Sequence, residues 1–219
     1  MKRRNIKQQG FTLTELMIVV ALVAIFAVFA VPNMGTAITR QKVQGQAAEI
    51  ANAFAFAHSE AVRQGKPVFV VPGIVKDDGK LNGKAANWTD ANALLVFANN
   101  NADTDRKYDS GEDLRVVSLN SKLKLDKISI EQLGSKPKAD HKDDAEFIFY
   151  SNGQMRVVAS GKLEAPGYIA RIVVKDNKRV TKNQTMRFCE VVRVDANGRS
   201  YTYTDKRSKL TDSDFFYCE

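Results

Sequence analysis

The sequence predicts an α+β protein: a long N-terminal helix, membrane-embedded in its first half, packed on an antiparallel β-sheet head with hairpins. Three observations predict it. Residues 11–31 read FTLTELMIVVALVAIFAVFAV, apolar except for Thr12, Thr14 and Glu15. Apolar residues then recur at Val43, Ala47, Ile50, Phe54, Ala57 and Ala61, in alternating steps of four and three. Beyond Pro67 the pattern changes to short β-branched and aromatic runs, two pairs of which flank Asn-Gly dipeptides.

The first run is close to the roughly 20 residues that cross a bilayer as a helix. Lys2, Arg3, Arg4 and Lys7 crowd its N-terminal side, so the excess of cytoplasmic positive charge leaves residues 1–10 inside and exports everything after Pro32. A secretory signal peptide places its small-residue cleavage site after the apolar core. Here Gly10 stands before that core, directly followed by Phe11. The expected segments are 1–10 as a leader, 11–32 as a transmembrane half-helix, 33–65 as an amphipathic half-helix and 66–219 as a β-rich head.

Glu15 is the anomaly of the apolar run. A carboxylate near the centre of a membrane helix costs about 2.5 to 3.5 kcal/mol, less near the end, and such groups usually have a partner. A new amino terminus at Phe11 would lie about a helical turn away in sequence. Pro32 removes a backbone donor and crowds the preceding turn, and Gly35 follows closely; a bend or loosening is expected there.

The stripe from Val43 to Ala61 marks one face of an amphipathic helix, with Gln44, Glu49, Asn52, Ser59 and Arg63 mostly on the other side. Gly65 and Pro67 stop it. The whole helix is then about 50 residues long. The head's expected strands are 68–71, 94–97, 114–119, 123–130, 147–150, 155–159, 168–174, 187–194 and 200–204. Ser151-Asn152-Gly153 and Ala196-Asn197-Gly198 supply the positive φ that tight turns need, so 147–150 with 155–159, and 187–194 with 200–204, form hairpins. Residues 72–92, rich in Gly, Asn, Asp and Lys, read as a loop.

Hydrophobic residues make up 44% and charged residues 26%, a balance that lets the head fold. The formal charge is +8, but the four leader cations account for half of it. The rest is scattered among carboxylates, a weak basis for binding nucleic acid. Cys189 and Cys218 lie far from either His and lack metal-ligand spacing, which argues against zinc. In an extracytoplasmic head they are expected to pair, a bridge worth roughly 3 to 4 kcal/mol through the unfolded chain.

The segment GFTLTELMIVVALVAIFA resembles the type III signal of type IV pilins and type II secretion pseudopilins. The resemblance implies that prepilin peptidase cuts between Gly10 and Phe11, that the new N-terminus becomes N-methylphenylalanine, and that the helix persists as the assembly element. It also implies that Glu15 pairs with the amino terminus of a neighbouring subunit, and it extends to a proline at Pro32. AFAHSEAVRQGKPVFV, LLVFANNNADTDRKYDSGEDLRVV and FIFYSNGQ resemble H-type pseudopilins and FimT/FimU-like minor pilins. That branch implies a minor pilin that helps initiate a type IV pilus and sits near its tip, serving pilus assembly, twitching motility and adhesion. Its expected partners are other minor and major pilins, prepilin peptidase and the inner membrane. The expected location is the inner membrane as a single-pass protein with a periplasmic head, then the pilus tip or cell surface.

Two alternatives share these marks: an H-type pseudopilin of a type II secretion system, and a DNA-binding minor pilin for natural uptake. DNA-binding members end in Gly-Arg-x-Arg, whereas this chain reads Gly198-Arg199-Ser200-Tyr201. Arg199, Lys206 and Arg207 remain as candidate phosphate contacts, and DNA is not favoured. Asp103, Asp105 and Asp109 are weak calcium candidates: Lys107 occupies a ligand slot and Tyr108 the turn-glycine slot of an EF-hand loop begun at Asp103. His58 and His141 have no nucleophile nearby in sequence, and no phosphate-cradling glycine loop, nucleophile elbow or C-x-x-C pair is present. Neither enzymatic activity nor a cofactor is expected.

Overall fold

The computed structural model describes residues 11–78, 80–98, 108–120, 123–132, 140–141, 143–164, 167–176 and 189–203. Its order is α1 (Leu13–Gln64), β1 (Val68–Val75), β2 (Leu81–Lys84), β3 (Ala93–Ala98), β4 (Asp113–Ser118), β5 (Leu123–Gln132), β6 (Asp140–His141), β7 (Glu146–Phe149), β8 (Met155–Ala159), β9 (Lys162–Leu163), β10 (Tyr168–Asp176), β11 (Cys189–Val194) and β12 (Ser200–Tyr203). The chain divides into two compact units, Met1–Thr39 and Arg40–Glu219.

In the first unit α1 is apolar around its circumference, and the large apolar side chains described from Phe11 to Phe26 are all at least half exposed. Helix persists across Pro32 and Gly35, so neither residue ends it. Pro32 offers no N–H to the Val28 carbonyl. One turn beyond Gly35, the Thr39 hydroxyl donates to the Gly35 carbonyl at 3.0 Å.

The second unit holds the core. Val43, Ala47, Ile50, Phe54, Ala57 and Ala61 are all buried, as the four-three spacing requires. The helix ends at Gln64, where Gly65 takes φ 68° and donates to the Ala61 carbonyl at 3.1 Å. Phe54 packs edge-on against Phe147 at 5.0 Å and Phe149 at 6.1 Å. Buried Gln46 ties the helix to the end of β4, its carbonyl oxygen accepting from the Asn120 N–H at 2.9 Å.

Two antiparallel sheets carry the head. One runs β4-β3-β1-β7-β8-β9 with β2 added to β1; the other runs β12-β11-β10-β5-β6. Strands β1, β3 and β7 read as unbroken apolar runs because both faces of their sheet are covered. Val68, Val70, Leu94, Val96, Phe147 and Phe149 join the core around α1; Phe69, Val71, Leu95, Phe97, Ile148 and Val158 form a second cluster on the other face. From the five-stranded sheet Ala170, Ile172, Val174, Val192 and Val194 enter the main core.

Two expectations need correction, and two short strands were not expected at all. The segment expected as a loop over 72–92 contains the second half of β1 and all of β2. Pro72 is tolerated inside β1 because pairing with β7 ends at Val70 and pairing with β2 begins at Gly73, so it falls between the two partners on that side. Asn92 then pairs with Val75 as a strand would, accepting its N–H at 2.7 Å and donating to its carbonyl at 2.6 Å. The short strands β6 and β9 had no sequence expectation. In both Asn-Gly turns only the glycine has positive φ, Gly153 at 82° and Gly198 at 74°. The bonds Gly198 N–H to Asp195 O and Asp195 N–H to Arg199 O, both 2.9 Å, fit a type I turn with a glycine bulge rather than a two-residue turn. The turn of that two-residue kind links β8 and β9, with Ser160 at 51° and Gly161 at 72°.

Candidate assembly site

At the start of α1, Thr12 and Glu15 satisfy each other. Glu15 Oε2 accepts from the Thr12 backbone N–H at 2.8 Å and from its hydroxyl at 2.9 Å, while the Glu15 N–H donates to Thr12 Oγ1 at 3.3 Å. With Leu13 as the first helical residue, this is a reciprocal capping box that occupies helix donors otherwise left open. The carboxylate singled out as the anomaly of the apolar run is therefore also its N-terminal cap. The signal for it in the sequence is the pattern Thr12-x-x-Glu15. Phe11 immediately precedes the box and is 88% exposed. Gly10 lies outside the described residues.

Among the described residues no helix is long and apolar enough to cross a membrane. The span expected from Phe11 continues through residues 27–34, whose side chains lie outside that description. Cys189 opens β11, while Cys218 lies outside the described residues, as do Lys206 and Arg207.

In the head, His58 has no nucleophile nearby in sequence and takes a structural position. It stands between the two Asn-Gly turns. A methyl group at Gly198 would fall 2.5 Å from its Cδ2, and one at Gly153 would lie 3.3 Å from its Nε2. Its ring meets Phe149 edge-on at 6.1 Å, and the turns join each other through the Met155 N–H to the Ala196 carbonyl at 3.0 Å. The imidazole thus fixes where the two hairpins meet the helix. At Gly198 only glycine leaves room for it, while at Gly153 the fit is tight.

Arg199 is exposed on the second of these turns, its N–H bound to Asp195 Oδ1 at 3.0 Å. Tyr201, standing where the DNA-binding pattern has arginine, is 44% exposed and lies 5.8 Å from the Arg193 guanidinium. Of the calcium candidates, Asp103 and Asp105 lie outside the described residues. Around Asp109 the acids hold the turn together. Glu112 Oε2 accepts the Asp109 N–H at 3.1 Å, and Asp113 Oδ1 accepts the Tyr108 hydroxyl at 2.9 Å. Burial first, and the Asp113 carboxylate second, push the Tyr108 phenol above its ordinary value.

Residues 5–31 match a family model described as the prokaryotic N-terminal methylation motif, and residues 46–208 match one described as type II transport protein GspH. The chain belongs to the GspH family. Its N-terminal motif places this GspH protein in the type IV pilin superfamily. Two crystal forms of the type IV minor pilin FimU from Pseudomonas aeruginosa strain PAO1 resemble it at 16% identity. One aligns over 75% of this chain and 90% of FimU with a TM-score of 0.42. The other aligns over 74% and 92% with a TM-score of 0.40. At that level the likeness carries no functional weight. No curated protein sequence matches the chain.

Proposed function

We propose that this GspH-family protein is a minor pilin that helps initiate a type IV pilus and sits near its tip, supporting assembly, twitching motility and adhesion. One observation carries the reading: a carboxylate, Glu15, stands at the head of an otherwise apolar helix, directly after the Gly10-Phe11 junction. Prepilin peptidase cuts at that junction and leaves a methylated Phe11 amino terminus. Residues 11–32 hold the chain in the inner membrane with the head in the periplasm.

In the single chain Glu15 is occupied by Thr12. On entry into the filament it meets the charged amino terminus of a neighbouring pilin. An ion pair in an apolar surround is stronger than a bond to a neutral amide, so the carboxylate gains on exchange while Thr12 retains the cap through its hydroxyl. Pro32 then lets the helix adjust locally as it packs.

The test is Glu15→Ala. Membrane insertion is expected to proceed normally, because an insertion cost has been removed, while the variant is lost from sheared pili. Recovery in sheared pili at the wild-type level overturns the role. Deleting the gene is expected to reduce surface pili and twitching with the major pilin still abundant in the membrane.

The match to the GspH model favours a second reading, an H-type pseudopilin of a type II secretion system. That role predicts a secretion defect with normal piliation. DNA uptake is the weakest of the three readings, since Tyr201 interrupts the basic pattern beside Arg199.

A further inference from the structure

Helix α1 begins at Leu13, and Thr12 is the residue that starts it. Its carbonyl accepts the first bond of the helical ladder, from the Leu16 N–H at 3.2 Å. Its hydroxyl oxygen accepts the Glu15 N–H at 3.3 Å, and its own N–H donates to Glu15 Oε2 at 2.8 Å. These bonds converge on a residue that itself stays outside the helix. Phe11 stands one place further out, non-helical and 88% exposed. The nitrogen of the Gly10-Phe11 peptide bond belongs to Phe11, so the box sets the start of the helix beyond that bond.

A peptide bond held in a helix is poorly open to a peptidase. Extended chains are bound through their main-chain donors and acceptors, and in a helix those groups are already bonded to the next turn. The sequence before Phe11 offers the helix other places to start. Gln8 and Gln9 are good helix formers, and Asn5 and Gly10 are both of a type that caps helices. A start at either cap would draw Phe11 into the helix. Fraying in the opposite direction would open backbone groups inside an apolar segment, where water does not replace the lost bonds. Loss of the Thr12 cap in the precursor therefore moves the start upstream. A chain already cut at Phe11 has no upstream residues to recruit, and there the same loss can only fray the helix.

We infer that Thr12 is a positioning residue for leader removal: by capping α1 it keeps Phe11 out of the helix and the Gly10-Phe11 bond open to prepilin peptidase. The inference rests on the processing proposed above and adds a determinant that lies in the substrate itself. Thr12 acts on the shape of the chain and on no reacting atom. Any side chain that caps should serve, and one that only matches threonine in shape should not.

The test is cleavage of the full-length precursor in detergent by purified prepilin peptidase, followed by mass as the loss of residues 1–10, over a range of precursor concentrations. Helix running through the bond lowers the fraction of substrate competent to bind. Thr12→Val, which keeps the shape and loses the cap, is expected to raise KM about fivefold with kcat unchanged. Thr12→Ser and Thr12→Asn are expected to restore the wild-type KM, and all three variants to keep the wild-type melting of the head. A wild-type KM for Thr12→Val overturns the inference and leaves the processing itself standing. So does a KM for Thr12→Asn as high as that of Thr12→Val, which would mean that the peptidase reads threonine directly. A wild-type precursor that stays uncut overturns both.

Discussion

One helix, α1, supports two regimes that differ in what surrounds its apolar side chains. From Phe11 to Phe26 they are exposed on every side; from Val43 to Ala61 they are buried in a single stripe. The second pattern is complete within the chain, because a stripe needs one covering surface and the sheets supply it. The first pattern calls for an apolar medium or other helices around it. The same secondary structure therefore stabilises the head at one end and leaves its apolar side chains uncovered at the other.

The largest effect that sharpens this contrast comes from truncating each end. Phe54→Ala empties a fully buried site between Phe147 and Phe149 and is expected to cost about 3 to 5 kcal/mol in denaturant unfolding of the head. Ile18→Ala, at a side chain 60% exposed, should leave that transition where it is. Equal losses at the two positions would break the distinction.

Next in size is Gly198→Ala. The substitution forces a non-glycine residue to φ 74° and drives its methyl group to 2.5 Å from His58 Cδ2. A loss of about 1 to 3 kcal/mol is expected. His58→Ala in the same chain should recover the part caused by the clash and leave the part caused by φ. No recovery would mean that the imidazole does not position the hairpins.

Thr12→Ala removes the side-chain half of the capping box and is expected to cost the N-terminal helix about 1 kcal/mol, read as lost helicity by circular dichroism in detergent. The melting of the head should not change. A head that melts earlier would show that the two regimes are coupled.

The smallest effect is pH-dependent and belongs to the buried regime. Bonds from Arg63 first and Gln64 second pull the Glu60 carboxyl from 4.5 down to about 2. A depressed folded value means that its stabilisation is fully present above about pH 4.5 and fades as pH falls toward about 2. Arg63 is 69% exposed, so solvent screens the pair and the contribution is modest. Acid unfolding of Glu60→Gln should show a shallower slope across that window. An identical slope would mean that the pair adds nothing.

How much of this was legible follows from the range of the interactions. The apolar stripe, the two Asn-Gly hairpins and the aromatic strands all rest on local periods and turn chemistry, and each appears close to its expected place. Strand β2, LNGK, carries a glycine and no apolar run, and it exists because β1 offers an edge beyond the end of β7. The wedge at His58 joins positions far apart in sequence, with only Gly153 and Gly198 as a trace. Glu15 is visible in sequence as a charge in an apolar helix, while its bond to Thr12 shows only in the Thr12-x-x-Glu15 cap pattern.

Processing at the Gly10-Phe11 junction decides the role proposed for α1. Mass spectrometry of the mature N-terminus from assembled cells tests it most directly. The expected result is a chain that begins at Phe11 and carries one methyl group on its amino nitrogen. A chain that retains Met1 to Gly10, or one cut after the apolar run, would contradict it.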